Sequence, residues 1–402
     1  MLNKRMKISF FKISNFYLIL LISGFLFVSL LPNLLGISEG SFSISYRVVI
    51  LGLALFIIVK AIFSKDIQFV KIGPYKLLLF FWLLYTIRIC YDLFYDPIIL
   101  SSEKSALDYT QYAFGVVLIP TLAIIFINKD KLNYDKILKW IYSILFLSLL
   151  VAIFLRGNTD DVGRTAGDLK IGILSFGQYG ASLSILSLFL LIKEKFTIKS
   201  LIYIVGFIIG FISIFISASK SPFLALLIVA VLFITLRYGR FKAAIIIGFL
   251  GLLFFYYFLD IMTLLNTNFN SSFLDRLLYA FEVGGDDARS SLFNAGLNEF
   301  INNPFFGNAM LLQEGNFAGS YPHNLIIEAF MATGFLGGIL FLGWVLKCVL
   351  ASFKIIKYNL NFAWVGLLFL QFLIFGMFSS NLFSSNLFWG LSILLILTVK
   401  KT

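Results

Sequence analysis

The sequence predicts an all-α polytopic membrane protein, and three observations lead to this class. Hydrophobic residues make up 60% of the chain and charged residues only 13%, while phenylalanine alone occurs 48 times. Apolar runs recur from one end to the other, each close to the roughly 20 residues that a helix needs to cross a bilayer. So little charge excludes a water-soluble domain. Residues 1–402 are therefore predicted to form a single transmembrane domain.

We predict about twelve transmembrane helices from these runs. The first run, FYLILLISGFLFVSLL, follows a basic stretch as a signal peptide would. It lacks a small-residue cleavage site and eleven more runs follow it, so we interpret it as a retained helix. The predicted spans are 16–35, 44–63, 74–94, 107–127, 138–155, 171–192, 199–217, 221–236, 243–262, 323–346, 361–378 and 385–399.

The lysines predict the orientation of these helices. If the N-terminus is cytoplasmic, most of the 32 basic residues fall on seven inner segments, in agreement with the positive-inside bias. Both termini are then cytoplasmic. Because the basic residues are spread over seven segments and form no single patch, the net charge of +12 indicates topology, and we expect no nucleic-acid partner.

The basic residues predicted on the outer side differ in type, since six of the nine are arginines. A planar guanidinium binds phosphate through paired donors, which lysine does less well, so the bias favours an anionic ligand on this side. Pairing with outer acids such as Asp160 and Asp286 would explain the same arginines, and both interpretations remain open. The arginines are Arg47, Arg88, Arg156, Arg164, Arg276 and Arg289.

Two outer loops separate the predicted helices most clearly. The smaller is residues 156–170, RGNTDDVGRTAGDLK, and the larger is residues 263–322. Within the larger loop, SSFLDRLLYAFEVGG and DDARSSLFNAGLNEFINNP each show one apolar face at helical spacing. They predict two short amphipathic helices lying on the membrane surface as a lid.

Arg289 is predicted in the first turn of the second amphipathic helix. A cation there opposes the helix dipole, so its placement suggests a purpose. Free backbone N–H groups at a helix start, together with an arginine, suit a phosphate group. A salt bridge to Asp286 or Asp287 would account for the same position.

Glycine, cysteine and serine patterns are interpreted structurally. GFIIG (206–210) and GFLGG (334–338) place glycines four residues apart, which favours close approach of membrane helices. Cys90 and Cys348 are expected at opposite ends of their helices, so no disulfide is predicted. The repeat SSNLFSSNLF (379–388) is predicted to form a polar turn, with sugar contact as the less favoured alternative.

His323 is the single histidine of the chain, and it stands where a polar loop meets an apolar run. A helix N-terminus disfavours imidazolium, so His323 is predicted to be neutral and able to accept a proton. Glu328 follows about one turn later, on the face of Asn324, and an ionisable residue there is a functional candidate. The alternative is that His323 only caps the helix.

These segments, in their order, resemble the O-antigen ligase and O-antigen polymerase superfamily. PHNLIIEAFMATGFLGGILFL is similar to its Pro-His-Asn, apolar, Gly-rich signature, and the stretch from Asp286 to Met310 is similar to its segment ending in Pro-x-x-Gly. GRTAGDLK resembles its Gly-Arg loop. SASKSPFLALLIVA resembles its Ser-Arg helix start, with Lys220 where arginine is common; Glu328 stands where glutamine is frequent.

The resemblance implies a glycosyltransferase at the outer face of the bacterial inner membrane. Its donor would be an oligosaccharide on undecaprenyl diphosphate, and its other partners would be membrane lipids and a chain-length regulator protein. His323 would be the catalytic base. No cofactor is expected. No Asp-x-Asp motif occurs on the predicted outer side, so no metal is predicted, although Asp286 and Asp287 leave that question open. The predicted substrate-binding residues are Arg164, Arg289, Lys220, Asn324 and Glu328.

Three functions remain open at this point. A polymerase would extend a lipid-linked glycan on a lipid-linked repeat unit, and a ligase would transfer the glycan to lipid A core or another acceptor. We favour the polymerase, because such enzymes accompany each distinct polysaccharide. A lipid-glycan flippase ranks last, because a transporter is expected to carry ionisable groups at mid-membrane and here the charges gather at the outer boundary.

Overall fold

The computed structural model describes residues 12–35, 39–63, 72–155, 172–195, 197–198, 200–269, 272–282 and 287–399. Within these residues the chain is helical and contains no β-strand. The helices are α1 (Lys12–Val28), α2 (Glu39–Phe63), α3 (Gly73–Tyr95), α4 (Ala106–Phe126), α5 (Tyr134–Leu155), α6 (Ile173–Lys193), α7 (Ser200–Ile216), α8 (Lys220–Tyr238), α9 (Arg240–Phe269), α10 (Phe273–Glu282), α11 (Asp287–Asn302), α12 (Leu325–Tyr358), α13 (Ala363–Ser379) and α14 (Asn386–Val399).

The predicted class, an all-α polytopic membrane protein, is confirmed. Eight of these helices are long and apolar enough to cross a membrane, namely α2, α3, α4, α5, α6, α8, α9 and α12. The other four predicted segments correspond to the shorter apolar helices α1, α7, α13 and α14. The count of twelve spans therefore stays a prediction. Both cysteines are free, Cys90 exposed and Cys348 buried.

The helix bundle has two chemically different ends. At one end, Lys193 forms a 2.6 Å salt bridge with Asp135, and the Lys347 ammonium donates to the Pro74 carbonyl. We call this the basic end. We call the opposite end, where α6, α8, α12 and α14 begin and where α7 and α13 end, the loop end. The positive-inside bias places the basic end in the cytoplasm, which stays a prediction.

Glycine permits close helix packing between α6 and α7. A Cβ atom added at Gly210 would lie 2.5 Å from the Gly180 carbonyl oxygen, so the two backbones are in direct contact. This agrees with the packing role predicted for GFIIG. The same prediction is wrong for the first glycine of GFLGG. Gly334 has φ 63° and ψ −163°, so it breaks α12 rather than packing inside a regular helix.

The segment after α11 fills the break in α12. The Phe335 N–H, released by the break, donates to the Pro304 carbonyl at 2.7 Å, and the Met331 carbonyl accepts from the Asn308 N–H at 2.8 Å. Gly307 has φ 75°, and a Cβ there would lie 2.5 Å from the Met331 carbonyl oxygen. The Pro-x-x-Gly sequence therefore supplies hydrogen bonds and close contact to a broken helix.

Arg88 of α3 completes this junction. Its Nε donates to the Ala332 carbonyl at 2.9 Å, and its two Nη atoms donate to the carbonyls of Phe306, Gly307 and Asn308 at 2.9–3.2 Å. Its Nη1 also pairs with Asp92 at 3.1 Å. For this outer arginine, pairing with protein groups is the correct interpretation, because its donors serve the fold.

The described part of the predicted large loop contains the two expected helices. Helix α9 continues to Phe269, beyond the predicted start at residue 263, and α10 and α11 occupy the two amphipathic stretches. Glu299 of α11 is 1% exposed, and its carboxylate accepts from the Asn308 side chain at 2.9 Å and the Gln313 N–H at 2.6 Å. The segment that follows α11 is thus held to the helix by a buried carboxylate.

We expect Gly307→Ala to destabilise the protein more than Gly315→Ala. Both glycines have positive φ, which costs an L-residue about 1–2 kcal/mol. A Cβ at Gly315 meets open space, whereas one at Gly307 meets backbone atoms that must move. Thermal unfolding of both variants in detergent measures the difference. Equal losses would show that the close contact with α12 contributes nothing.

Candidate active site

His323 lies at the loop end, immediately before α12, in a conformation that few residues adopt. Its φ is 58°, in the left-handed region, which costs energy unless the surroundings hold the backbone there. Two contacts do so. The Tyr321 ring packs on the imidazole with centroids 4.2 Å apart, and Pro322 packs on Gly296 of α11, where a Cβ would come within 2.8 Å of the proline ring.

The residue that caps α12 is Asn324. Its Oδ1 accepts from the Ile326 and Ile327 N–H groups at 3.0 and 3.1 Å, and its Nδ2 donates to the Met377 carbonyl of α13 at 3.1 Å. The alternative in which His323 caps the helix is therefore wrong. The predicted substrate contact of Asn324 gains no support, because both ends of its amide are already engaged in the fold.

The imidazole of His323 is neutral. Its pKa is lowered from 6.5 to about 4, first because the ring is largely buried and second because the positive charge of Arg289 lies nearby. Neutrality was predicted from the sequence, but from the helix N-terminus rather than from these two causes. Arg289 and His323 are 34 positions apart, and the fold brings them together.

Helix α11 carries Arg289 to this place. Arg289 is half-buried in the first turn of the helix, which packs along the start of α12. The Phe300 ring of α11 lies 5.2 Å from the Phe330 ring and 5.0 Å from the Phe335 ring, measured between centroids. Of the apolar face predicted for this helix, Leu292 and Phe300 pack against protein, whereas Leu297 and Ile301 are exposed. The helix brings the charge of Arg289 close enough to act on His323.

Lys220 is the first residue of α8. It lies next to the C-terminal end of α13, which also binds Asn324. The Ser221 hydroxyl lies 3.1 Å from that of Ser379, two residues beyond the Met377 carbonyl that binds Asn324. The turn before Lys220 is held by Arg276 of α10, whose Nη1 donates to the Ala218 carbonyl at 3.0 Å. The starts of α8 and α12 therefore share one end of α13.

Arg276 was not among the predicted site residues. It was one of the outer arginines, and nothing in its local sequence distinguishes it from Arg88, which serves the fold. Its contact with the turn before Lys220 arises from the packing of α10 on α7 and α8, where Phe273 lies 4.4 Å from Phe215 between ring centroids. An apolar face in the sequence predicts that this face of the helix is buried. It does not predict which neighbouring helix covers it.

Glu328 is engaged in hydrogen bonds within the fold. The residue is fully buried, and its carboxylate accepts from the Tyr85 hydroxyl at 3.2 Å and from the Leu382 N–H at 3.0 Å. Its predicted substrate contact gains no support, because the residue has no exposed surface. Arg164 lies outside the described residues, which resume at Gly172.

Among the described residues, no three His, Cys, Asp or Glu side chains are grouped so that they would hold a metal ion. Asp286, which bears on this question, lies outside those residues.

Residues 205–342 match the family model described as O-antigen ligase. The matched segment contains Lys220, Arg276, Arg289 and His323, and it includes the α12 break. The match confirms the predicted resemblance to the O-antigen polymerase and ligase superfamily. It supports a polysaccharide polymerase or ligase role of the glycosyltransferase type in a membrane protein. No curated protein matches the sequence.

The single histidine makes its titration directly measurable. In protein purified without a histidine tag and labelled with ¹⁵N-histidine, the NMR signal of His323 should titrate with a pKa of about 4. Arg289→Gln should raise this pKa, because one of its two causes is removed. Arg237→Gln, which removes an exposed arginine at the basic end, should leave it unchanged.

Stability should follow the same protonation. The unfolded chain binds the proton near pH 6.5 and the folded chain only near pH 4, so the contribution of His323 to stability is lost as the pH falls between these values. The His323→Asn variant should show a shallower decline of melting temperature across this window. An NMR pKa near 6.5 in the folded protein would contradict both expectations.

Proposed function

From the match of residues 205–342 to the O-antigen ligase family, we propose that the protein is a polysaccharide polymerase. It transfers a glycan from undecaprenyl diphosphate to a hydroxyl of a lipid-linked repeat unit, at the outer face of the bacterial inner membrane. One observation carries this proposal: the only imidazole of the chain is held neutral, beside Arg289, within the matched segment.

The proposed reaction is a single displacement at the anomeric carbon of the donor sugar. The acceptor hydroxyl gives its proton to His323 as its oxygen bonds to that carbon, and the bond to the diphosphate oxygen breaks. The lipid diphosphate leaves with additional negative charge. Arg289 and Lys220 supply positive charge at the site end of α11 and α8, where they stabilise the leaving group.

Arg289 also couples donor binding to the base. Burial lowers the pKa of His323 to about 4, with the positive charge of Arg289 as the second cause, and a base with such a pKa is weak. A bound diphosphate offsets that positive charge, so the imidazole becomes more basic when the donor is present. Donor binding therefore favours proton removal by His323.

Ligase activity is the alternative, because the matching family model is described by that activity. Both reactions use the same donor and the same proposed displacement. They differ in the acceptor, so they are separated by the product. Purified protein incubated with lipid-linked repeat units should give a ladder of chain lengths if it is a polymerase. Transfer to lipid A core without a ladder would establish the ligase.

Replacement of His323 should separate chemistry from fold. Asparagine tolerates the left-handed conformation and cannot accept the proton, so His323→Asn should melt near the wild-type temperature and lose about 10²–10⁴-fold in transfer rate. His323→Ala should be equally inactive and less stable, because alanine adopts this φ poorly. An active asparagine variant would remove the role of His323 as a base.

Replacement of Arg289 should weaken donor or transition-state binding. Loss of one charge-assisted contact costs about 1.5–3 kcal/mol, so Arg289→Ala should reduce kcat/KM by about tenfold or more at limiting donor. Arg289→Lys should recover only part of this, because the paired donors are lost. Arg240→Ala, at the exposed basic end, is the matched control. Full activity in Arg289→Ala would refute the assignment.

A further inference from the structure

A cavity of about 590 Å³ opens at the loop end beside the candidate active site. It lies between α1, α2, α4, α6 and α13, and the turn between α13 and α14 forms one wall. Its volume falls within the range of about 300–1,000 Å³ that small-molecule sites occupy. Tyr321 joins the two sites, because it lines the cavity and its ring packs on the imidazole of His323.

The wall of this cavity combines aromatic rings with neutral polar groups. Four tyrosines line it, Tyr46, Tyr112, Tyr179 and Tyr321, and the SSNLFSSNLF turn contributes serines and asparagines. A sugar ring presents C–H faces that pack on aromatic rings and hydroxyls that need donors and acceptors. The wall supplies both. The repeat is a hydrogen-bonded turn, as predicted, with the Ser384 N–H bound to the Asn381 side chain at 2.8 Å.

Gln178 of α6 supplies a donor that lacks a partner. The residue lines the cavity and is only 8% exposed, and its Nε2 makes no hydrogen bond to any of the described residues. Its position is fixed, since its backbone carbonyl accepts from Gln371 at 2.8 Å and from Ser182 at 3.1 Å. A buried donor without an acceptor is costly to a fold, which indicates that a ligand supplies the acceptor.

Arg47 of α2 is the one charged residue among the described residues that line the cavity. Its Nη2 donates to the Tyr112 hydroxyl at 3.1 Å, and its guanidinium carbon lies 4.7 Å from the centre of that ring. Among the described residues its other donors have no partner, so a ligand can bind them. Lys104 adds a second cation near the same ring, 5.8 Å from its centre. The electrostatics of the wall therefore favour an anionic ligand.

We propose that this cavity binds an acidic sugar unit of the glycan, with its carboxylate or phosphate on Arg47 and a hydroxyl or ring oxygen on Gln178. The proposal rests on the proposed function for the identity of the glycan. An acidic sugar fits better than the lipid diphosphate, because the tyrosines and the serine–asparagine turn match hydroxyls and ring faces. Bound there, the sugar chain runs past Tyr321 to His323.

Calorimetry on the intact protein in nanodiscs tests this proposal without requiring transfer. The probes are oligosaccharides of galacturonate, glucuronate and sialic acid, neutral maltotriose, and inorganic diphosphate. We expect at least one acidic oligosaccharide to bind, and Arg47→Gln to weaken it about tenfold or more. Arg237→Gln, with the same charge change at the basic end, should have no effect. Tighter binding of diphosphate that also depends on Arg47 would assign the cavity to the lipid carrier and overturn the proposal.

Gln178→Leu gives an independent criterion. Because the variant removes an unsatisfied donor, its melting temperature should rise, while its affinity for the acidic oligosaccharide should fall. If Gln178 is merely structural, the variant should be less stable and bind with unchanged affinity, and that outcome would overturn the proposal. A wild-type protein that binds no acidic oligosaccharide would overturn it as well. Acidic binding without transfer would refute the proposed function alone. Transfer unaffected by Arg47→Gln would refute the proposed acidic-sugar site alone.

Discussion

The guanidinium of Arg88 is the constraint on which the architecture of the loop end depends. A helix interrupted at Gly334 leaves carbonyl and N–H groups without partners, and such groups must be satisfied when they are away from water. Arg88 takes the Ala332 carbonyl and three carbonyls of the segment 306–308, so it holds the two sides of the break together. The segment before α12 then has a defined path, and His323 has a defined position at its end.

The fold class was predictable because hydrophobic runs and lysine positions are properties of single segments. The helices follow from composition and length, and the amphipathic helices α10 and α11 follow from apolar spacing. The roles of individual polar residues were less predictable, because they depend on which segments meet. Arg88 and Arg289 are both arginines of the loop end, yet one binds backbone carbonyls and the other lies beside His323. Likewise, Gly210 packs and Gly334 breaks a helix, since only the tertiary partner distinguishes them.

The candidate active site and the cavity are mechanically coupled. Glu328, one turn into α12, binds the Leu382 N–H of the turn that forms a cavity wall, and Asn324 binds the Met377 carbonyl of α13. These contacts connect the start of α12 to both the end of α13 and the following turn. Buried hydrogen bonds therefore fix the distance between His323 and the cavity. Supporting hydrogen bonds of this type keep functional groups in the correct geometry. Glu328 thus helps to position the start of α12.

The break in α12 also resolves a mismatch of lengths. A helix of 34 residues would extend ~51 Å, well beyond the hydrocarbon core of a bilayer, which is ~30 Å thick. Counted from Phe335 to Tyr358, the arm after the break is ~36 Å long and is sufficient to cross that core alone. The arm before the break, which carries Glu328, is then released from the need to face lipid tails. It can lie in the headgroup region, where the polar head of a lipid-linked substrate also resides.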